Sequence, residues 1–238
     1  MIDRSHQLSV SRQAQLLNIS RGAVYYLPKP VGESDLTLMN AIDQLHLDYP
    51  FTSLSGVKPM EIQVVIGDIT KQPDVDAIVN SANANLRMGS SVAGAIHSAA
   101  GPKLEEYCKP FAPLELGSAL ITLGFQLPNP WIIHVRAAHY INNTGPERYL
   151  SFAISSMLNT ARDNGIQSLA MPAIGTSVFK FPPILTARII SKTLSQYATI
   201  QTGIKTVRIC VINQEVMKTY SSVLDLEMDS VTASPSNR

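Results

Sequence analysis

From Glu61 onward, the hydrophobic positions fall into two alternating rhythms. Short apolar runs, rich in β-branched residues, predict strands at Glu61–Ile66, Ala77–Asn80, Ser118–Leu123, Trp131–Val135, Ser168–Met171 and Thr206–Ile212. Between them, apolar residues recur at three- and four-residue spacing. Leu150, Ile154, Met157, Leu158 and Ala161 mark a helix over Glu147–Asn164, and Gly165 stands where a helix C-cap belongs. Further helices are predicted over Ser91–Ala100, Lys103–Cys108, Ile184–Tyr197 and Gln214–Leu226. Strands alternating with crossover helices predict an α/β fold, a mostly parallel mixed sheet in an α/β/α sandwich.

The rest of the chain has a different texture. Residues 1–50 are polar and helical in pattern, broken by Leu27-Pro28-Lys29-Pro30. Residues 51–60 read as a linker, residues 61–228 as the α/β domain, and 229–238, small and polar, as a disordered tail. With 238 residues, 45% of them hydrophobic, the chain can bury one sizeable core plus an appendage. A net charge of +1 gives no bulk attraction to nucleic acid or membrane. Cys108 and Cys210, far apart in sequence, fit a reducing cytoplasm rather than a disulfide framework. They have no zinc-ligand spacing, and no metal is expected. No apolar run reaches the ~20 residues that a membrane span needs, and residues 1–30 lack a signal-peptide core.

In open parallel sheets, ligands sit beyond the carboxyl ends of the strands. Asp68, Asn83 and the loop Ala173–Phe181 all follow strands, so they should converge there. Asp68 has a carboxylate suited either to an exocyclic amine, with the Ile69 amide beside it, or to capping its own turn. Asn80 and Asn83 offer donors and acceptors, for ribose hydroxyls or for loop backbone. Gly89-Ser90-Ser91-Val92-Ala93 opens a helix whose N-terminal amides can hold a diphosphate. Gly175 and the amides of Thr176, Ser177 and Val178 form a second turn able to clasp the same anion. Phe179 is either a wall of the site or a core aromatic. Lys180 either pairs with phosphate or points to solvent. Gly94 and Ala95 suit close helix–sheet packing. His97 on a Gly/Ala helix reads as packing, and His134 and His139 are given no role.

The series Gly67-Asp68-Ile69, Ala77-Ile78-Val79-Asn80-Ser81-Ala82-Asn83, Gly89–Gly101 and Pro172–Pro182 resembles the macrodomain family in order and spacing, over residues 61 to about 226. The resemblance implies an ADP-ribose site with no further cofactor. Asp68 would meet adenine, Asn83 the distal ribose, and the two turns the diphosphate. Free ADP-ribose, its metabolites or ADP-ribosylated macromolecules would be the partners. Three departures stand out. Ser90 and Ser91 replace part of a glycine run, Ser177 and Lys180 fall at usually glycine-rich positions, and Ala93 stands where hydrolytic members often carry an Asp. A methyl group cannot accept a proton or orient water. A binding module is therefore expected first. A weak hydrolase or O-acetyl-ADP-ribose deacetylase, with Asn83 holding the water, is the alternative.

Residues 11–26 read either as a helix-turn-helix, with Ser20 capping the second helix and Arg21 and Tyr25 free for DNA, or as a plain helical hairpin. Residues 1–30 hold four basic residues against one acid, a modest net of +3. The wording of Ile2-Asp3-Arg4, Ser11–Ala14, Ile19–Tyr26 and Asp35–Tyr49 resembles the start of an insertion-sequence transposase's second reading frame. Because Met60-Glu61-Ile62 looks like an ordinary macrodomain start, a transposase fragment fused to a complete macrodomain is the expectation. Weak DNA contact by residues 1–30 is a second alternative function.

Overall fold

The computed structural model describes Arg12 and residues 60–198 and 203–232. The chain divides into two units, Met1–Val57 and Lys58–Arg238, and the second holds the α/β domain. The expected helix-turn-helix, the linker up to residue 59 and residues 233–238 lie outside the described residues.

Six strands form one sheet: β1 (Glu61–Ile66), β2 (Ala77–Ser81), β3 (Ala119–Leu123), β4 (Trp131–Val135), β5 (Ser168–Pro172) and β6 (Thr206–Val211). Their order is β1-β6-β5-β2-β4-β3, parallel throughout except for the antiparallel edge pair β3–β4. The helices are α1 (Ser91–Ala100), α2 (Pro102–Cys108), α3 (Pro146–Asp163), α4 (Pro183–Ala198) and α5 (Gln214–Thr232), with a 3-10 turn at Lys109–Phe111. Every strand and helix expected from Glu61 onward is present, most within a residue or two of its predicted ends. The exception is α5, which runs on to Thr232 and takes in the first residues of the expected tail.

The period of two along the strands sorts their side chains into two cores. Ala77, Val79, Ile133, Leu169, Met171 and Ile209 pack with α3, α4 and α5 on one face. Ile78, Ile132, Ala170 and Cys210 pack with α1 and α2 on the other. Both faces are covered, which is why the central strands read as unbroken apolar runs. Each fully buried Ile or Leu contributes ~1.5–3 kcal/mol relative to exposure.

The helix α3 shows how local chemistry sets an element's ends. Gly145 takes a left-handed backbone (φ 63°) and Pro146 follows at the first helical position. At the far end Gly165 (φ 68°) donates to Arg162 O at 3.0 Å and Ile166 donates to Ala161 O at 2.9 Å. Those two bonds are a Schellman motif, and they satisfy carbonyls that the helix end would otherwise leave open.

Gly94 serves a purpose other than helix–sheet packing. A Cβ there would lie 2.4 Å from the Gly89 carbonyl oxygen, so its missing side chain admits the preceding loop. Ala95 points to solvent.

Candidate functional site

A cleft opens at the carboxyl ends of β2 and β5 and encloses about 180 Å³. One wall is the loop after β2 and the start of α1: Ser81, Asn83 and Gly89–Ala93. The other is the loop after β5: Pro172–Gly175 and Ser177–Phe179. Of the expected site residues, Asn83, Ser90, Ser91, Val92, Ala93, Gly175, Ser177, Val178 and Phe179 are brought together here.

Side-chain hydrogen bonds stitch the first wall. Asn83 Nδ2 donates to Arg87 O at 2.8 Å, while Oδ1 accepts from the amides of Asn85 (3.0 Å) and Arg87 (3.3 Å). Asn83 thus clasps its own loop and still borders the cleft, with one amide hydrogen left to donate. Ser90, at the N-cap of α1, makes no side-chain cap bond, and no acidic residue occupies the first turn. The N-terminal amides of α1 therefore keep their donors free for an anion, at the positive end of the helix dipole.

Backbone bonds fold the second wall. Phe181 donates to Gly175 O at 2.9 Å, Ile174 to Pro172 O at 2.7 Å, and Tyr140, from beyond β4, to Phe179 O at 2.8 Å. Gly175 has φ 96°, and a Cβ there would lie 3.1 Å from both Phe181 and Thr186. The Thr176 amide bonds Ala173 O and its hydroxyl bonds the same oxygen. Thr176 is thus engaged in its own turn and does not line the cleft, which corrects the expectation of a ligand contact there. The amides of Gly175, Ser177 and Val178 have no such internal acceptor.

The two walls touch. Ser177 Oγ donates to Ser91 Oγ at 3.1 Å, across 86 positions of sequence. Ser91 (φ 57°) and Lys180 (φ 61°) both hold left-handed backbone without being glycine. A non-glycine residue there costs ~1–2 kcal/mol. Strain therefore falls at two of the serine and lysine departures noted in the sequence.

Three expected residues lie elsewhere. Asn80 is fully buried, with Nδ2 3.0 Å from His134 Nδ1, and so cannot reach a ligand. The strand period points it, with Ile78, into the core beneath α1. Asp68 Oδ1 accepts from the Thr70 amide at 2.9 Å and the Thr70 hydroxyl at 2.7 Å. Those two bonds hold its carboxyl below the usual range, with Lys71 a lesser influence. This is the turn-capping arrangement; the other oxygen lies 3.9 Å from Lys71 Nζ, on a side chain about half exposed. The Ile69 side chain is buried in the α1-side core. Neither Asp68 nor Ile69 lines the cleft.

The histidines behave as packing residues. His134 is buried between Asn80 and Thr122 Oγ1 (3.1 Å), and burial pushes its pKa down to about 3. His97, 2% exposed, is also held below its ordinary value by burial, against an opposing pull from Glu105. Sequence reasoning passed over Glu105, which contacts the first wall from behind. Its only signal was an acid on the helix that follows α1.

The sequence model of the Macro domain matches residues 79–190. The chain is similar to a macro domain-containing protein of Lactiplantibacillus plantarum, 39% identical over 169 residues, 69% of this chain and 96% of that protein. It is also similar to an O-acetyl-ADP-ribose deacetylase of Enterobacter sp. (strain 638), 40% identical over 148 residues, 60% of this chain and 81% of that one. Among solved structures, an Oceanobacillus iheyensis macrodomain with ADP superposes with a TM-score of 0.68 at 29% identity, covering 71% of this chain and 92% of that one. Solved variants of that macrodomain replace an asparagine, a glycine seven residues later and an aspartate three residues after that. Asn83, Ser90 and Ala93 stand at the same intervals in this chain.

Proposed function

The chain belongs to the Macro domain family, and from that premise we propose that its cleft binds ADP-ribose, free or attached to a macromolecule. The diphosphate lies between the amides at the start of α1 and those of Gly175, Ser177 and Val178. The distal ribose meets Asn83 and Phe179. The adenine extends toward Asp68 and Ile69: the Asp68 oxygen that faces Lys71 at 3.9 Å can also accept from its exocyclic amine, and the Ile69 amide suits a ring nitrogen. One observation carries this reading: both walls supply backbone donors without internal acceptors, and no acidic side chain lines the space between them. That is a site for an anion with little steric bulk around it. The Ser91–Ser177 bridge has to yield as the diphosphate enters, and its hydroxyls can then turn to phosphate.

Titration calorimetry of the full chain with ADP-ribose tests the reading. Saturable heat at micromolar ligand is the expected result, and silence at millimolar ligand rejects it. Asp68→Ala weakens binding by ~1–3 kcal/mol if the carboxylate holds the adenine. Unchanged affinity would move the adenine elsewhere.

A second reading, slow hydrolysis of ADP-ribosyl linkages or of O-acetyl-ADP-ribose, is favoured by the similarity to a deacetylase and by Asn83 at the cleft. The Ala93 methyl, at the interval where the Oceanobacillus iheyensis relative carries an aspartate, argues for binding over turnover. Acetate or ADP-ribose release measured for wild type and Ala93→Asp separates the two. The introduced carboxylate raises the rate if only the acid is missing. Weak DNA contact by residues 1–30 would be supported by a salt-dependent shift of duplex DNA, lost on deleting them.

A further inference from the structure

The loop that carries Asn83 is also held from outside the cleft. Met88 donates its amide to Glu105 Oε2 at 3.1 Å. Glu105 stands on α2 and lines no part of the cleft. The same oxygen lies 4.0 Å from Nδ1 of His97. His97 belongs to α1, the helix whose start forms the cleft wall, and neither of its buried ring nitrogens has a hydrogen-bond partner. One carboxylate oxygen therefore faces two donors: a loop amide it already holds, and an imidazole nitrogen close enough to compete.

We propose that Glu105 is a positioning residue for the ADP-ribose cleft, holding the Met88 amide while His97 is neutral and turning to His97 when that imidazole takes a proton. The inference rests on the ADP-ribose reading of the cleft. Its physical basis is that the Met88 amide meets the carboxylate as a dipole, whereas a protonated imidazole meets it as a full opposite charge, in a part-buried setting where Coulomb attraction is little screened. Among the described residues, the titratable groups near His97 are Glu105 from α2 and His134 from β4, whose ring centroid is 6.3 Å away. Cys108 on α2 responds to Glu105 but is a buried thiol pushed up to about 11. His134 stays neutral down to about 3, and burial holds His97 below its ordinary value against the pull of Glu105, so His97 takes its proton only below about pH 6.5. When Glu105 turns, Met88 loses its anchor. Asn83, five residues back, and the Gly89–Ser91 segment just ahead lose their fixed placement with it.

The test uses the full chain, with ADP-ribose affinity measured by calorimetry and the Met88 amide followed by NMR in the ligand-free protein. Affinity falls by up to about tenfold as pH is lowered below about 6.5, the ordinary imidazole value that burial depresses here, and the Met88 amide shifts over the same range. In Glu105→Gln the side-chain oxygen still accepts from Met88 but cannot pair with a cation. That variant keeps its neutral-pH affinity within about twofold and loses both pH responses. His97→Leu loses them too. Glu105→Ala binds about tenfold more weakly already at neutral pH. The inference is overturned by a Met88 amide that does not titrate, or by a titration that persists in Glu105→Gln or His97→Leu. Failure of ADP-ribose to bind at any pH overturns the reading of the cleft instead, and the Met88 titration then decides this inference by itself.

Discussion

The two walls of the cleft do the same work by different means. The first, from Asn83 to Ser91, is held mainly by side chains, with three bonds from Asn83 and one from Glu105 beside the backbone bonds of Leu86 to Asn83 O and Leu114 to Ala84 O. The second, from Pro172 to Phe181, is held mainly by its own backbone around Gly175. A wall built from side chains can be loosened by a substitution, or by a proton, at a residue that never touches the ligand. A wall built from backbone is indifferent to most side chains and fails only where a side chain cannot fit. The difference predicts which positions are fragile on each side.

The largest effect belongs to the second wall. Gly175→Glu places a Cβ at φ 96° against Phe181 and Thr186, and sets a carboxylate where the diphosphate belongs. Affinity for ADP-ribose falls at least about a hundredfold, on the order of 3 kcal/mol. Calorimetry measures the loss, and circular dichroism checks that the fold survives. Retained binding would show that the second turn is not the diphosphate site.

The matching change in the first wall is Asn83→Ala, which removes three loop bonds. It lowers stability by ~1–3 kcal/mol in urea unfolding and weakens ADP-ribose binding together with it. If stability falls and affinity does not, the loop is a scaffold and the distal ribose lies elsewhere.

Acid sharpens the contrast further, because the buried polar foot of the first wall contains His134. Its pKa is about 3 in the native protein and near 6.5 when unfolded. Between those values the unfolded chain binds a proton that the folded one refuses. Stability is therefore fully present above about pH 6.5 and falls as pH drops through this window, at up to ~1.4 kcal/mol per unit from this group. Thermal unfolding at intervals from neutral pH to about pH 4 reads the slope. A flat profile would mean that His134 finds a way to be charged inside the core.

The smallest effects concern strain, which both walls share. Ser91→Gly and Lys180→Gly each relieve a left-handed non-glycine backbone. Each should stabilise by at most ~1 kcal/mol, since glycine's own entropy cost offsets part of the gain. A loss of stability in Ser91→Gly would mean that the hydroxyl bridge to Ser177 is worth more than the strain.

Much of this was legible in the chain. The strands and helices could be placed because β-branched runs and three-to-four spacing are local signals, and the ends of α3 because Pro146 and Gly165 act within one turn. The motifs for both walls were visible for the same reason. The two asparagines were harder. Asn80 and Asn83 look interchangeable as text, yet one belongs to a strand that buries it against His134 and the other to the loop beyond. Asp68 offered two roles, and its geometry favours the turn cap.

By itself, then, the sequence determined the alternation of elements, the family and the two amide-bearing turns, because each depends on residues near one another along the chain. Only the tertiary structure decided which donors stay free, which asparagine is buried, that Ser91 meets Ser177, and that Glu105 stands between Met88 and His97. Those pairings join segments far apart in the chain, and they follow from packing of helices on the sheet, which no local period encodes.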